Sequence, residues 1–330
     1  MKSYDNASAA VRRANGVPSV ALGTLPSPVD ELARLRDALG AGVRLFAKRD
    51  DAIPFGFGGN KVRKLAIVAA QAAAEGADTL LTVGGIQSNH ARATAATAAK
   101  LGLRCHLVAS GSRPDKLTAN ALLDSLLGAE VEYVATRTDR VPAMRHAAER
   151  LRAAGGRPFE IPLGASTPEG AIGFVRAVGE LVDQGIRPDV IVHATSSGGT
   201  QAGIVAGCAL HGLPTRVIGV SADDPAADVE RTVRSIIAGM AGPLGAPLAE
   251  VATDCAVEVD DTFVGEGYGV PTPASTEAQQ LAARTEALFV DHTYTAKALA
   301  ALVAYVRDGR IPPGATVVFW HTGGQVGLFA

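Results

Sequence analysis

Short apolar, β-branched runs alternate along this chain with longer stretches in which alanine and leucine recur at helical spacing. Runs at 45–48, 79–83, 105–109, 131–134, 190–193, 216–221 and 316–320 predict strands. Their nearly continuous apolar character is that of strands covered on both faces. Between them, 61–74, 89–101, 119–127, 141–153, 171–184, 200–210 and 294–306 predict helices. In the first of these, Leu65, Val68, Ala69 and Ala72 share one face. Strand then helix, repeated, predicts an α/β protein with parallel sheets and right-handed crossovers. The segments 111–115 and 155–158 combine glycine and proline and predict surface loops.

Length and composition narrow the class. The 330 residues suit one large or two moderate domains. No Pro/Ser-rich linker divides the chain, so a second domain is expected as an insertion. Hydrophobic residues at 47% and charged residues at 19% describe a packed globular protein. The net charge of -2 and the lack of a basic run argue against nucleic acid or an anionic membrane as partner. Three widely spaced cysteines without a CxxC pair argue against a metal site and fit a reducing compartment. The N-terminus lacks the apolar region of a signal peptide, and no transmembrane-length apolar stretch occurs, so a cytoplasmic location is expected.

Several glycine-rich stretches fall where a strand is expected to hand over to a helix. Phe55-Gly56-Phe57-Gly58-Gly59-Asn60-Lys61 precedes the first helix, and its glycines let the backbone approach a bound group closely. A phosphate P-loop is excluded, because the GxxxxGK spacing is absent and Val62 stands where Ser or Thr would hold magnesium. Gly84-Gly85-Ile86-Gln87-Ser88-Asn89-His90 follows a strand and puts Ser88 and Asn89 at a helix N-cap, on the carboxyl side of the sheet where α/β proteins bind ligands. Thr195-Ser196-Ser197-Gly198-Gly199-Thr200 has the form of an anion cradle: backbone N–H groups at a helix start, two hydroxyls, and no need for a lysine or arginine. Tyr268 and Tyr294 stand in polar, Gly/Thr-rich settings, and the strand at 316–320 ends in His321-Thr322-Gly323-Gly324.

Taken in order, GGNKxRKL, GGIQSNH, SGGTQAG, GYGVP, DxxYTxKA and HTGG resemble the D-cysteine desulfhydrase and 1-aminocyclopropane-1-carboxylate (ACC) deaminase family, from about Leu45 to the C-terminus. That resemblance implies two parallel-sheet, three-layer domains of tryptophan synthase β-like architecture, the fold type II of pyridoxal 5′-phosphate (PLP) enzymes. Residues 1–63 and 174–330 would form the larger, PLP-binding domain, and 64–173 a smaller inserted one. Lys61 would hold the cofactor covalently, Asn89 its ring hydroxyl, and Ser197, Gly198, Gly199 and Thr200 its phosphate. Thr322, with Thr295, would lie near the pyridine nitrogen. Ser88, Asn89 and His90 would meet the substrate carboxylate, and Tyr268 and Tyr294 would line the substrate face, with Ser88 and both tyrosines assisting Lys61 in catalysis. A homodimer acting on a small amino acid is implied.

Thr295, Thr322 and His90 resemble the desulfhydrase branch, since ACC deaminases have glutamate, leucine and glutamine there. The expected activity is therefore α,β-elimination from D-cysteine to pyruvate, hydrogen sulfide and ammonia. L-cysteate sulfo-lyase and ACC deaminase are the enzymatic alternatives, and a non-catalytic binder of PLP or amino acids is the alternative of another class. His292, Thr293 and Ala296 depart from the family's usual DPVYTGK and leave the substrate open.

Overall fold

In the computed structural model, which describes residues 2–40, 42–245 and 255–330, the strands form two sheets. The six-stranded sheet has the order β1-β2-β10-β7-β8-β9, from Val29–Glu31 (β1), Arg44–Arg49 (β2), Thr316–His321 (β10), Val190–Thr195 (β7), Arg216–Ser221 (β8) and Glu258–Asp260 (β9). The four-stranded sheet has the order β5-β4-β3-β6, from Glu130–Val134 (β5), Arg104–Ser110 (β4), Thr79–Gly85 (β3) and Pro158–Ile161 (β6). All pairings of the second sheet are parallel. In the first sheet the edge strand β1 runs antiparallel to β2, which departs from the purely parallel expectation. β1 and β2 are joined through a short helix, α2 (Ala33–Ala38), and β1 lies on the rim where an added strand needs no crossover.

Helices cover both faces. In chain order the others are α1 (Lys2–Gly16), α3 (Lys61–Ala74), α4 (Asn89–Leu101), α5 (Ala119–Leu126), α6 (Arg140–Ala153), α7 (Pro168–Asp183), α8 (Gly199–Leu210), α9 (Ala226–Gly239), α10 (Ala241–Leu244), α11 (Pro273–Glu286) and α12 (Thr295–Arg307). One core, with Ile191, Val318 and Trp320, lies between the larger sheet and α7, α8 and α9. A second, with Val192, Val317 and Phe319, lies on the opposite face under α11 and α12. The alternation of sides along β7 and β10 explains why both strands read as continuous apolar runs.

The four-stranded sheet is drawn wholly from residues 79–161, between β2 and β7 of the larger one. Residues 64 and 173, the domain limits drawn from the sequence, lie within α3 and α7. These helices cross in close contact: a Cβ on Gly173 would stand 2.6 Å from the Arg63 carbonyl oxygen. α7 and α8 cross as tightly, with a Cβ on Gly203 only 2.1 Å from the Ala171 carbonyl oxygen. These glycines, with the alanines around them, set the depth at which α8 sits, and α8 begins at the anion-cradle loop.

Every strand read from the sequence is present within a residue or two of its expected ends. The strands β1, β6 and β9, not read from it, have three or four residues each. β6 opens on Pro158, inside the expected loop, so no apolar run announces it.

Candidate active site

A cavity of about 200 Å³ opens at the carboxyl ends of strands from both sheets. Lys61, Ser88, Asn89, His90, Ser197, Gly198, Thr200, Tyr268, Tyr294 and Thr322 all line it. Residues more than 260 positions apart in sequence are thus brought onto one space by the sheet topology.

Lys61 is the first residue of α3. The chain reaches it through Gly58, whose φ of 64° is left-handed and whose Cβ, if present, would be 2.3 Å from the Asp51 carbonyl oxygen. Only glycine fits that approach. Arg63, two residues on, anchors the helix start. It donates to Asp50 at the end of β2 (2.8–3.0 Å) and to Glu180 of α7 (2.9 Å). Burial lowers the Lys61 ammonium to about 8, from an ordinary value of 10.5. Near neutral pH a sizeable fraction is therefore free amine, the form that attacks a carbonyl or accepts a proton.

The loop read as an anion cradle leads into α8, and a lysine the sequence reading did not include stands beside it. Gly198 caps α8 in the left-handed conformation (φ 77°), which turns the backbone N–H groups of the helix start toward one point. Thr200 Oγ1 accepts from Asn60 Nδ2 (3.0 Å), and Ser197 Oγ is 2.8 Å from Ser166 Oγ. A lysine nonetheless stands at the cradle: Lys64 Nζ, fully buried, donates to Ser166 Oγ (3.0 Å), whose oxygen also accepts from Gly199 N–H (3.2 Å). Burial first, and then the neighbouring Lys61, hold the Lys64 ammonium well below its ordinary range. A phosphate at the cradle would supply the countercharge that this buried lysine lacks. Three residues on from Lys61, Lys64 reads in sequence as one more helix cation; only the packing of α3 against Ser166 reveals it.

Ser88 is the N-cap of α4, its Oγ accepting from Ala91 N–H (3.2 Å), so the capping and site roles coexist. The Asn89 carboxamide oxygen accepts from Asn120 Nδ2 (3.0 Å) and Arg92 Nη1 (3.2 Å). This fixes the amide so that Nδ2 turns to the opposite side, toward Gly324, 3.3 Å from where a Cβ there would lie. Asn120, oriented by Gln87 through two bonds of 2.9 Å, is a further contributor that sequence reasoning missed. The His90 ring is turned back onto β3. Thr82 Oγ1 gives its proton to the Ile161 carbonyl (2.8 Å), so it accepts from His90 Nε2 at 2.7 Å. Burial and the two nearby lysines hold the imidazole well below its usual range, hence neutral. What His90 offers a carboxylate is its backbone N–H, which has no intrahelical acceptor so near the helix start.

Thr322 follows β10 and lines the cavity, and its hydroxyl has no partner among the described residues. Thr295, expected beside it, does not reach the cavity. Its hydroxyl is fully buried, donating to Asp291 Oδ1 (2.7 Å) and accepting from Asp291 N–H (2.9 Å). Asp291, four residues earlier, takes up the start of α12 and Thr295 with it. Tyr268 and Tyr294 meet edge to face, ring centres 5.7 Å apart and hydroxyls hydrogen-bonded to each other. Burial raises both phenols, so they are neutral donors at physiological pH.

The cofactor fit can be tested on these groups. A lysine whose ammonium is lowered to about 8 for a carbonyl, a helix-start cradle with Lys64 beside it, an amide N–H from Asn89 and an unpartnered hydroxyl at Thr322 match the aldehyde, phosphate, ring hydroxyl and ring nitrogen of PLP. When bound, PLP supplies an electron sink for charge developing at a substrate Cα. The chain supplies the rest. The α4 start and Ser88 are where a substrate carboxylate would be held and its Cα oriented. Lys61 Nζ would accept the Cα proton. The tyrosine pair would present an O–H to the substrate.

Fold and site together define a PLP-dependent enzyme of fold type II. The model of the family described as pyridoxal-phosphate dependent enzymes matches residues 20–323, and the chain belongs to that family. Among solved structures, it is similar to an ACC deaminase homologue, with 32% identity and a TM-score of 0.88 over 97% of this chain and 96% of that one. It also shares its fold with threonine deaminase isoform 2 from Solanum lycopersicum (17% identity, TM-score 0.69, 97% and 85% covered). Serine racemase from Dictyostelium discoideum is similar to the same degree (16%, 0.66, 97% of each chain). Among the described residues no helix is long and apolar enough to cross a membrane.

Proposed function

We propose that the protein is a carbon–sulfur lyase that eliminates the β-substituent of D-cysteine, giving pyruvate, hydrogen sulfide and ammonia, and that it works in the cytoplasm as a homodimer. The observation that carries the reading is the neutral Thr322 hydroxyl at the end of the cavity where a ring nitrogen would lie. The neighbouring carboxylate, Asp291, is taken up by the N–H groups of residues 293 to 295 and by the Thr295 hydroxyl. A hydroxyl leaves the ring nitrogen uncharged, where a carboxylate would keep it protonated. The weaker electron sink suits loss of a good leaving group better than the opening of a cyclopropane ring.

The test is the product formed by the purified holoenzyme from D-cysteine, L-cysteine, L-cysteate and ACC. Pyruvate with sulfide from D-cysteine is the expected result. Formation of 2-oxobutanoate from ACC in its place would overturn the reading, and no turnover of any of the four would favour a binder. One observation, an arginine on the cavity wall, favours L-cysteate as a second substrate.

A further inference from the structure

Two arginines, Arg137 just before α6 and Arg140 at its first residue, reach the cavity, and they are in different electrostatic states. Arg137 is matched: Nη1 donates to Asp223 (2.6 Å) and Nη2 to Asp224 (3.1 Å), both just after β8. Arg140 is not. Among the described residues no carboxylate pairs with it; its neighbours in charge are Arg137 and the two cavity tyrosines. Nη2 donates to Ser110 Oγ at the end of β4 and lies 3.6 Å from where a Cβ on Gly85 would stand. Nε is buried and has no hydrogen-bond partner. A guanidinium held beside Gly85, with a buried unused donor, costs free energy unless an anion completes it.

The α4 start, where the first N–H groups lack intrahelical acceptors and Ser88 adds a hydroxyl, would seat the substrate's α-carboxylate. Arg140 is therefore left for a second negative charge, on the wall that carries Tyr268 and Tyr294.

We propose that Arg140 is a specificity-determining residue that receives an oxyanion on the substrate Cβ, so that the enzyme also acts on amino acids with a sulfonate or phosphate-ester leaving group. The inference rests on the elimination reading of the same site. A β-carboxylate would fit the charge but is not displaced in such a step. With a sulfonate, the Cα–H bond breaks and its proton passes to Lys61. The Cβ–S bond breaks with its electron pair leaving on sulfur as sulfite. Water converts the remaining 2-aminoacrylate to pyruvate and ammonia. With a phosphate ester the Cβ–O bond breaks instead and phosphate leaves.

The experiment titrates the holoenzyme with cysteate, O-phosphoserine and alanine, each as both enantiomers, reading the cofactor's visible absorption, and assays pyruvate, sulfite and phosphate. At least one of the two oxyanion ligands is expected to bind roughly ten- to hundredfold tighter than alanine, the span of one charge-assisted contact. That ratio should fall toward one in Arg140→Gln and be partly kept in Arg140→Lys. Sulfite or phosphate released with pyruvate identifies which oxyanion is used. Equal affinity for alanine and both oxyanion ligands in the unmodified enzyme would overturn the proposal. So would an Arg140→Gln protein that weakens all three equally, which would assign Arg140 to the α-carboxylate. If no substrate, D-cysteine included, gave pyruvate, the elimination reading would fail, while the affinity ratio would still decide the role of Arg140.

Discussion

Lys61 shows how much a single residue can and cannot announce. Its spacing behind Gly58-Gly59 and at a helix start was legible in the sequence, as was the cap at Ser88. Its chemistry follows from burial, which lowers its ammonium to about 8. Below that pH the amine is protonated and inert toward a carbonyl; above it, it is free. Capture of PLP by the cofactor-free protein should therefore rise with pH and reach half its plateau near pH 8, where an ordinary lysine would need about 10.5. Stopped-flow absorbance across pH 6 to 10 checks this, and Lys61→Ala should lose the visible band of lysine-bound cofactor. Lys64, Asn120 and Arg140 were not legible. Each is a common polar residue on a helix, and its role comes entirely from what other elements place against it. Thr295 errs the other way: its motif position suggested the cofactor, but Asp291 claims its hydroxyl locally.

At the scale of elements, buried parallel strands were easy to read because both faces are apolar. The three- and four-residue strands were not, since pairing with a neighbour, not their own pattern, makes them strands. Helix positions depend on contacts no sequence window contains. Gly203 lets α8 approach α7, and α8 carries the cradle at its start. Gly203→Ala is expected to cost about 1–3 kcal/mol of stability by overpacking. It should also weaken PLP binding several-fold, because the helix must shift away from Ser166 and Lys64. Urea unfolding and cofactor titration separate the two effects. A variant that unfolds earlier yet binds PLP as before would show that the cradle is held by its loop and not by the helix packing.

For the whole molecule, one buried polar cluster ties together parts that are remote in sequence. Asp50 accepts from Arg63 of α3, from Ser27 Oγ (2.9 Å) and from Trp320 Nε1 of β10 (2.9 Å), while Arg63 reaches Glu180 of α7. Both Asp50 and Arg63 are almost fully buried. Removing one partner of such a pair strands the other charge. Asp50→Ala is expected to cost about 3–5 kcal/mol, and Asp50→Asn less, as read by urea unfolding of the cofactor-free protein. The small sheet is drawn from one continuous run, residues 79–161, lying in sequence between β2 and β7 of the larger sheet. The tight crossing of α3 and α7 could not be foreseen, because it depends on Gly173 meeting Arg63.

Trp320 is the chain's single tryptophan, fully buried with its indole N–H on Asp50 and two residues ahead of Thr322. The protein thus has one indole fluorophore, set beside its own active site. In the folded state its emission should be blue-shifted, and energy transfer to a bound pyridoxal ring should quench it. Loss of structure should move it to the red instead. Cofactor loading and unfolding would then appear in one spectrum along two separate axes, intensity and wavelength, with no label added.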